Sequence, residues 1–224
     1  MHEFAEGTSR FVVFDFDGTV ADTWRDIATA LNQTFVEFGF APVEGPEVRY
    51  WIGDGARKLL LRAVPESHRS EDAIDELYER FAEHYDRVCL ETTELYPGVL
   101  DCLAALRGVP LAIASNKPER FLMRIVEGLG LKQHFSLLAG GDTLAVRKPD
   151  PTVLLDLRDR LASPAETMWM VGDSAVDVET GRAAGARTIG CGWGMRGRDE
   201  LRRANVHFLV EHPREIPRII LGAS

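Results

Sequence analysis

Two aspartates separated by one residue end an apolar stretch near the start of the 224-residue chain. The stretch is FVVFDFDGTV, in which Asp15 and Asp17 come just before Gly18. Much later, GDSAVD carries Asp173 and Asp177 at a spacing of one helical turn. Carboxylates that lie close together repel one another and are costly to bury, so such a group needs a cation. Carboxylate oxygens suit Mg²⁺, which fills its remaining positions with water and phosphate.

Other residues of the chain suit a phosphoryl anion. Lys148, in RKPDP, supplies positive charge, and Ser115, in ASNKP, offers a hydroxyl donor. Gly18 permits a sharp turn that exposes backbone N–H groups as further donors. Together with a divalent cation, these residues predict a site that neutralises a phosphoryl group.

Short apolar runs precede these polar residues and predict buried strands. The runs are RFVVFD, VPLAIASN, TMWMVGD and ARTIGCG, with a fifth candidate in FSLLAGG. Segments of helical period alternate with them, at residues 99–106, 118–129, 151–161 and 175–184. This alternation predicts an α/β fold with a Rossmann-like, doubly wound parallel sheet. The carboxyl ends of its strands meet at one edge, where the polar residues are expected to converge.

One region interrupts the alternation. Residues 22–93 contain three amphipathic stretches and no strand candidate: DTWRDIATALNQTFVEFGF, DGARKLLLRAV and EDAIDELYERFAEHYDRVCL. We therefore predict an α/β core formed by residues 1–21 and 94–224, with an inserted all-helical cap domain at 22–93. Because both linkers leave the same edge of the core, the cap is expected to lie over that edge as a lid.

Four motifs of the chain, which contain Asp15, Ser115, Lys148 and Asp173, together resemble those of the haloacid-dehalogenase superfamily of phosphohydrolases. Within this superfamily, the chain most resembles the phosphoglycolate phosphatases. The likeness spans nearly the whole chain and rests on DFDGT, IGDGARKLL, ASNKP, GGDTLAVRKPDP and VGDSAVDVETGRAAG. Two residues depart from the pattern, since Asp54 and Val176 stand where such phosphatases often have Asn.

The resemblance implies roles for individual residues. Asp15 would attack phosphorus to form an aspartyl-phosphate, and Asp17 would protonate the leaving alcohol and then activate water. Lys148 and Ser115 would hold phosphoryl oxygens. Mg²⁺ would be bound by Asp15, Asp173 and the main-chain carbonyl of Asp17, with Asp177 supporting its water shell. Substrate contacts are expected at Thr19, Asn116, Arg57 and Lys58, although the last two suit a solvated helix surface equally well.

The resemblance also implies a small phosphorylated metabolite as substrate, 2-phosphoglycolate first. Alternatives left open are a phosphatase or phosphomutase of sugar phosphates, a pyrophosphate or nucleotide hydrolase, and a non-catalytic binding module on the same scaffold. Asp17 argues against dehalogenases and phosphonate hydrolases, which lack this second acid.

The composition of the chain disfavours several other classes of partner and site. The chain has 26 Lys and Arg against 35 Asp and Glu, a formal charge of −9 that disfavours a nucleic-acid surface. Cys89, Cys102 and Cys191 form neither a zinc pattern nor a disulfide framework. No apolar stretch approaches the ~20 residues of a membrane span, and the first ten residues lack a secretory h-region. These features predict a cytoplasmic protein that binds no membrane, and they leave a monomer and a homodimer equally open.

Overall fold

A parallel sheet of six strands forms the centre of the structure, a computed structural model that describes residues 9–161 and 167–222. The strands in chain order are β1 (Arg10–Phe14), β2 (Ala21–Asp22), β3 (Glu94–Leu95), β4 (Leu111–Ala114), β5 (Leu137–Ala139), β6 (Thr167–Gly172), β7 (Arg187–Cys191) and β8 (Phe208–Val210). The central sheet has the order β5-β4-β1-β6-β7-β8, and β2 pairs with β3 in a separate two-stranded antiparallel sheet. The predicted parts of the core at residues 1–8, 162–166 and 223–224 lie outside the described residues.

Strand β1 occupies the middle of the sheet because its side chains are apolar on both faces. Val12 and Phe14 pack into the cluster of one face, whereas Phe11 and Val13 belong to the cluster of the other. Such continuous apolar runs are typical of parallel strands covered on both sides. The winding direction reverses between β1 and β6, and ligands of open α/β sheets bind at such a switch point. The predicted doubly wound α/β fold is confirmed.

Helices cover both faces of the sheet and form the insertion. Within the described residues they are α1 (Trp24–Glu37), α2 (Ala56–Ala63), α3 (Glu71–Val88), α4 (Val99–Ala105), α5 (Glu119–Gly128), α6 (Thr152–Asp159), α7 (Ala175–Ala183), α8 (Arg198–Arg203) and α9 (Ile216–Leu221). Short 3₁₀ turns lie at Pro46–Trp51, Glu66–His68, Lys132–His134 and Pro213–Glu215. None of these described helices combines the length and apolar character that crossing a membrane requires.

Helices α1, α2 and α3 pack together between the two linkers, at the place predicted for the helical cap. The pair of β2 and β3 lies at the predicted boundaries: β2 spans the boundary at 21/22, and β3 begins just after the boundary at 93/94. No sequence pattern predicted these two-residue strands. The second linker is held against α1 by Asp26, a buried carboxylate of that helix. It accepts hydrogen bonds from the backbone N–H and hydroxyl groups of Thr92 and Thr93, at 2.6 to 3.1 Å. The division into core and cap at these exact residues stays a prediction.

Candidate active site

Three buried carboxylates meet where the sheet reverses its winding. Asp15 follows β1, Asp173 follows the neighbouring β6, and Asp177 lies in the first turn of α7. One oxygen of each carboxylate lies within 4.8 Å of the others. The structure therefore brings together three of the four acids that the sequence placed at this edge.

Lys148 lies inside this acidic cluster. Its Nζ is 2.9 Å from Asp15 Oδ1 and 2.6 Å from Asp177 Oδ1. Burial lowers the pKa of this ammonium group, but the two carboxylates outweigh that effect and raise it above its ordinary value. Lys148 therefore keeps its positive charge beside the position of Asp15.

The carboxylate of Asp173 is held by the loop that follows β7. Its Oδ2 accepts hydrogen bonds from the N–H groups of Met195 at 2.6 Å and Arg196 at 3.3 Å. Gly18 lies against the same oxygen with φ of +83°, and a Cβ there would come within 2.3 Å of Oδ2. The close approach and the left-handed backbone both require glycine after Asp17.

The cluster carries more negative charge than its surroundings offset. Burial, and then the charge of Asp177, raise the pKa of Asp15 to about 7, although Lys148 opposes the rise. Burial, with Asp177 and Asp15, also raises the pKa of Asp173 well above its usual range. A divalent cation bound among these carboxylates would offset this cost, because its positive charge favours their ionised form.

The donor set fits such a cation. Among the described residues, the side-chain contacts of Asp15 engage only Oδ1 and those of Asp173 only Oδ2, which leaves one oxygen of each as a ligand. Asp177 is different, since Oδ1 contacts Lys148 and Oδ2 accepts from the N–H and hydroxyl of Ser174. This arrangement suits Asp177 to positioning its neighbours rather than to direct ligation.

Asp17 turns its carboxylate away from the cluster. Its Oδ1 accepts a hydrogen bond of 2.6 Å from the hydroxyl of Thr23 and lies 3.2 Å from Nζ of Lys117. Asp15 and Asp17 thus have different lysine partners, Lys148 and Lys117, although only one residue separates them in the chain. The predicted metal contact of Asp17 through its main-chain carbonyl stays a prediction.

Ser115 and Asn116 follow β4 and are buried at the same edge of the sheet. The hydroxyl of Ser115 accepts from the N–H of Lys117 at 3.3 Å. The side-chain amide of Asn116 donates to the carbonyls of Gly53 and Lys148, each at 3.0 Å. Asn116 therefore ties a loop of the insertion to the loop that carries the site lysine.

A narrow cavity of about 40 Å³ lies between the insertion and the core, beside Asp15 and Asp17. This volume holds a few water-sized groups. Ser115, Asn116 and Lys117 line it on the core side. Its apolar walls are Ile27, Ile52, Leu59, Phe81 and Phe121.

Three residues expected to contact substrate do not line this cavity. Thr19 is buried, but it borders a different small cavity with Cys102, and its carbonyl accepts from the indole N–H of Trp193. Arg57 forms an ion pair with Asp75 and lies over the ring of Tyr78. Lys58 is exposed and borders a separate surface groove. Substrate roles for Thr19, Arg57 and Lys58 stay predictions, without support from their positions.

The model of one protein family matches residues 12–191, and its description is haloacid dehalogenase-like hydrolase. The chain belongs to this family. Its membership confirms the resemblance drawn from the motifs at Asp15, Ser115, Lys148 and Asp173.

Individual relatives of this haloacid dehalogenase-like hydrolase bear a more specific name. The chain is 39% identical over 189 residues to a phosphoglycolate phosphatase of Chromobacterium violaceum, which covers 82% of this chain and 85% of that protein. It is 40% identical over 191 residues to a phosphoglycolate phosphatase of Rhodospirillum rubrum, covering 82% and 79% of the two chains. A crystal structure of a predicted phosphoglycolate phosphatase from Haemophilus somnus 129pt superposes with a TM-score of 0.88 and 26% identity, over 96% of this chain and 99% of that one.

Sequence reasoning missed three residues that the fold of this haloacid dehalogenase-like hydrolase brings to the site. Lys117, next to Asn116, is buried in the cavity wall. Tyr85 of α3 contacts Lys117, and Arg196 donates to the carbonyls of Tyr50 and Ile52. The adjacent motif ASNKP pointed to Lys117, whereas Tyr85 and Arg196 carried no local signal.

Proposed function

We propose that the chain is a magnesium-dependent phosphatase that hydrolyses a small phosphomonoester, 2-phosphoglycolate, through an aspartyl-phosphate on Asp15. The observation that carries the proposal is the placement of Asp15 between Lys148 and Asp173 at the switch point of the sheet. The names of the relatives support the substrate, and the narrow cavity favours a short leaving group.

Asp15 acts as the nucleophile in this proposal. Its carboxylate oxygen attacks phosphorus, the ester bond breaks, and the phosphoryl group is transferred to Asp15. Lys148 stays beside the attacking carboxylate and offsets the negative charge of the phosphoryl oxygens. The hydroxyl of Ser115 stabilises these oxygens by donating a hydrogen bond. Water then attacks phosphorus, which releases phosphate and restores Asp15.

Asp17 moves the protons of both steps. Its carboxyl group borders the cavity, where a leaving alcohol would lie, and it protonates the ester oxygen as the bond breaks. The resulting carboxylate then removes a proton from the attacking water. The hydroxyl of Thr23 holds the orientation of Asp17 through its hydrogen bond of 2.6 Å.

Asp15 and Asp173 would hold Mg²⁺ through their remaining oxygens, together with the main-chain carbonyl of Asp17. When bound, the ion supplies the positive charge that stabilises the phosphoryl group beside a carboxylate nucleophile. Asp177 keeps Lys148 and Ser174 in place through its two oxygens. The expected cytoplasmic location and monomeric or homodimeric state also stay predictions, which fractionation and light scattering would test.

A metal-supplemented screen of phosphorylated metabolites tests the function. The wild-type protein should hydrolyse 2-phosphoglycolate in preference to sugar phosphates, nucleotides and pyrophosphate, and EDTA should abolish the activity. Asp15→Asn should lower kcat by about 1000-fold or more, because it removes the nucleophile. Asp159→Asn, at an exposed aspartate, is the matched control. Full activity of Asp15→Asn, or activity that survives complete chelation, would contradict the proposal.

A further inference from the structure

Lys117 is a buried cation that the mechanism above does not use. Only 7% of the residue is exposed, and its Nζ lies 3.2 Å from Asp17 Oδ1. Lysine is rarely buried so fully without partners that hold its charge. Among the described residues that line the cavity, Lys117 is the only cation, and Asp15 and Asp17 line the same cavity.

Aromatic residues fix the position of this ammonium group. Its Nζ donates a hydrogen bond of 2.8 Å to the hydroxyl of Tyr85 and lies 4.5 Å from the centre of the same ring. Tyr85 is stacked on Phe81 and meets Phe121 edge to face. The ammonium group is therefore held rigidly between the insertion and the core, in surroundings of low dielectric constant that strengthen a charge–charge contact.

The distance from Nζ to Asp17 sets what Lys117 can reach. The ester oxygen of a bound substrate must lie within hydrogen-bond distance of Asp17, which protonates it. Because Nζ also lies within such a distance of Asp17, both residues can contact one small leaving group, Asp17 at the ester oxygen and Lys117 at atoms one carbon further. In phosphoglycolate, this position holds the carboxylate.

We propose that Lys117 recognises a carboxylate one carbon beyond the scissile ester oxygen, and so selects short phosphorylated acids over neutral phosphomonoesters. The proposal rests on the proposed function, since it assigns the leaving group to the cavity beside Asp17. It differs from a purely structural role, in which Lys117 would only hold Asp17 and Tyr85. A structural role would affect every substrate equally, whereas recognition of a carboxylate affects the ratio between substrates.

The ratio of kcat/KM for 2-phosphoglycolate to that for ethyl phosphate measures this selectivity. Ethyl phosphate has the same ester linkage and a methyl group where phosphoglycolate has its carboxylate. Lys117→Met should lower the ratio by about 10- to 150-fold, which corresponds to one charged hydrogen bond. Any effect of the substitution on Asp17 is common to both substrates and cancels. Lys132→Met, at an exposed lysine, should leave the ratio unchanged.

Binding provides a readout that does not depend on turnover. Calorimetric titration of 2-phosphoglycolate and ethyl phosphate into Asp15→Asn protein with Mg²⁺, with and without Lys117→Met, should show the same loss of preference. An unchanged ratio in both measurements would overturn the role of Lys117, as would a wild-type protein that prefers neither ligand. If the wild-type protein hydrolysed neither substrate, the proposed function would fail, and the binding ratio would still decide the proposal about Lys117.

Discussion

Replacing Asp15 by asparagine should stabilise the metal-free protein at alkaline pH, although it removes the proposed nucleophile. Asparagine has nearly the shape of aspartate but carries no charge. In the metal-free protein, the Asp15 carboxylate is buried beside Asp177 and Asp173, and Lys148 is the cation that contacts it. Removing its charge relieves a repulsion that the folded protein bears and the unfolded chain does not.

The size of the effect follows from the pKa of Asp15. Burial and the neighbouring Asp177 raise this pKa from 3.8 to about 7. At roughly 1.4 kcal/mol per pKa unit, ionising Asp15 in the folded protein costs about 4 kcal/mol. This value already includes the attraction of Lys148, which lowers the pKa. We therefore expect Asp15→Asn to raise the free energy of unfolding by about 4 kcal/mol at pH 8.

Urea denaturation in EDTA, from pH 4 to pH 8, measures the effect and its sign. Between pH 4 and about 7 the folded state binds more protons at Asp15 than the unfolded state does. The free energy of unfolding of the wild-type protein should therefore fall as pH rises through this range. Asp15→Asn lacks this contribution, so the difference between the two proteins should grow with pH and level off above 7.

Magnesium should reverse the order of the two proteins. Saturating Mg²⁺ should stabilise the wild-type protein at pH 8, because binding to the folded state shifts the unfolding equilibrium. Asp15→Asn should gain much less, since it loses a ligand. The reasoning would be refuted if Asp15→Asn were less stable than the wild-type protein in EDTA at pH 8, or if the difference did not depend on pH.

Two further substitutions test how backbone and linker position the site. Gly18→Ala should lower kcat by about 100-fold, because its Cβ would displace the carboxylate of Asp173. Gly39 has a similar positive φ but open space around it, so Gly39→Ala should keep full activity. Equal activity of the two variants would contradict the steric argument. Asp26→Asn should lower the free energy of unfolding in urea by about 3 kcal/mol, since an amide cannot accept from all the donors of the linker threonines. A loss below about 1 kcal/mol would show that the linker is held by other contacts.

Much of the site was predictable because the polar residues follow apolar runs. Asp15 ends the run of β1 and Asp173 the run of β6, and the topology of a doubly wound sheet makes these strands neighbours. The capping box of α7 also follows from local sequence, since Ser174 and Asp177 have the spacing of a helix start. These features depend on short stretches whose pattern is visible without the fold.

Other features depend on contacts between distant segments. The strands β2 and β3 have two residues each, too few to show a period, and they form because the linkers run side by side. Lys117 is buried because Tyr85 reaches it from α3, 32 residues earlier in the chain. The ion pair of Arg57 was also not predictable from local sequence, because its partner Asp75 lies in a different helix of the insertion.

Direct identification of a phosphorylated Asp15 tests whether this carboxylate is the nucleophile. Asp17→Asn lacks the base that activates water, and p-nitrophenyl phosphate has a leaving group that needs no protonation, so the aspartyl-phosphate should accumulate. Acid quenching, reduction with borohydride and peptide mass spectrometry would then locate the modified residue. We expect Asp15 to be converted to homoserine by reduction of its aspartyl-phosphate. Release of p-nitrophenol without modification of Asp15, or modification at Ser115 instead, would contradict it.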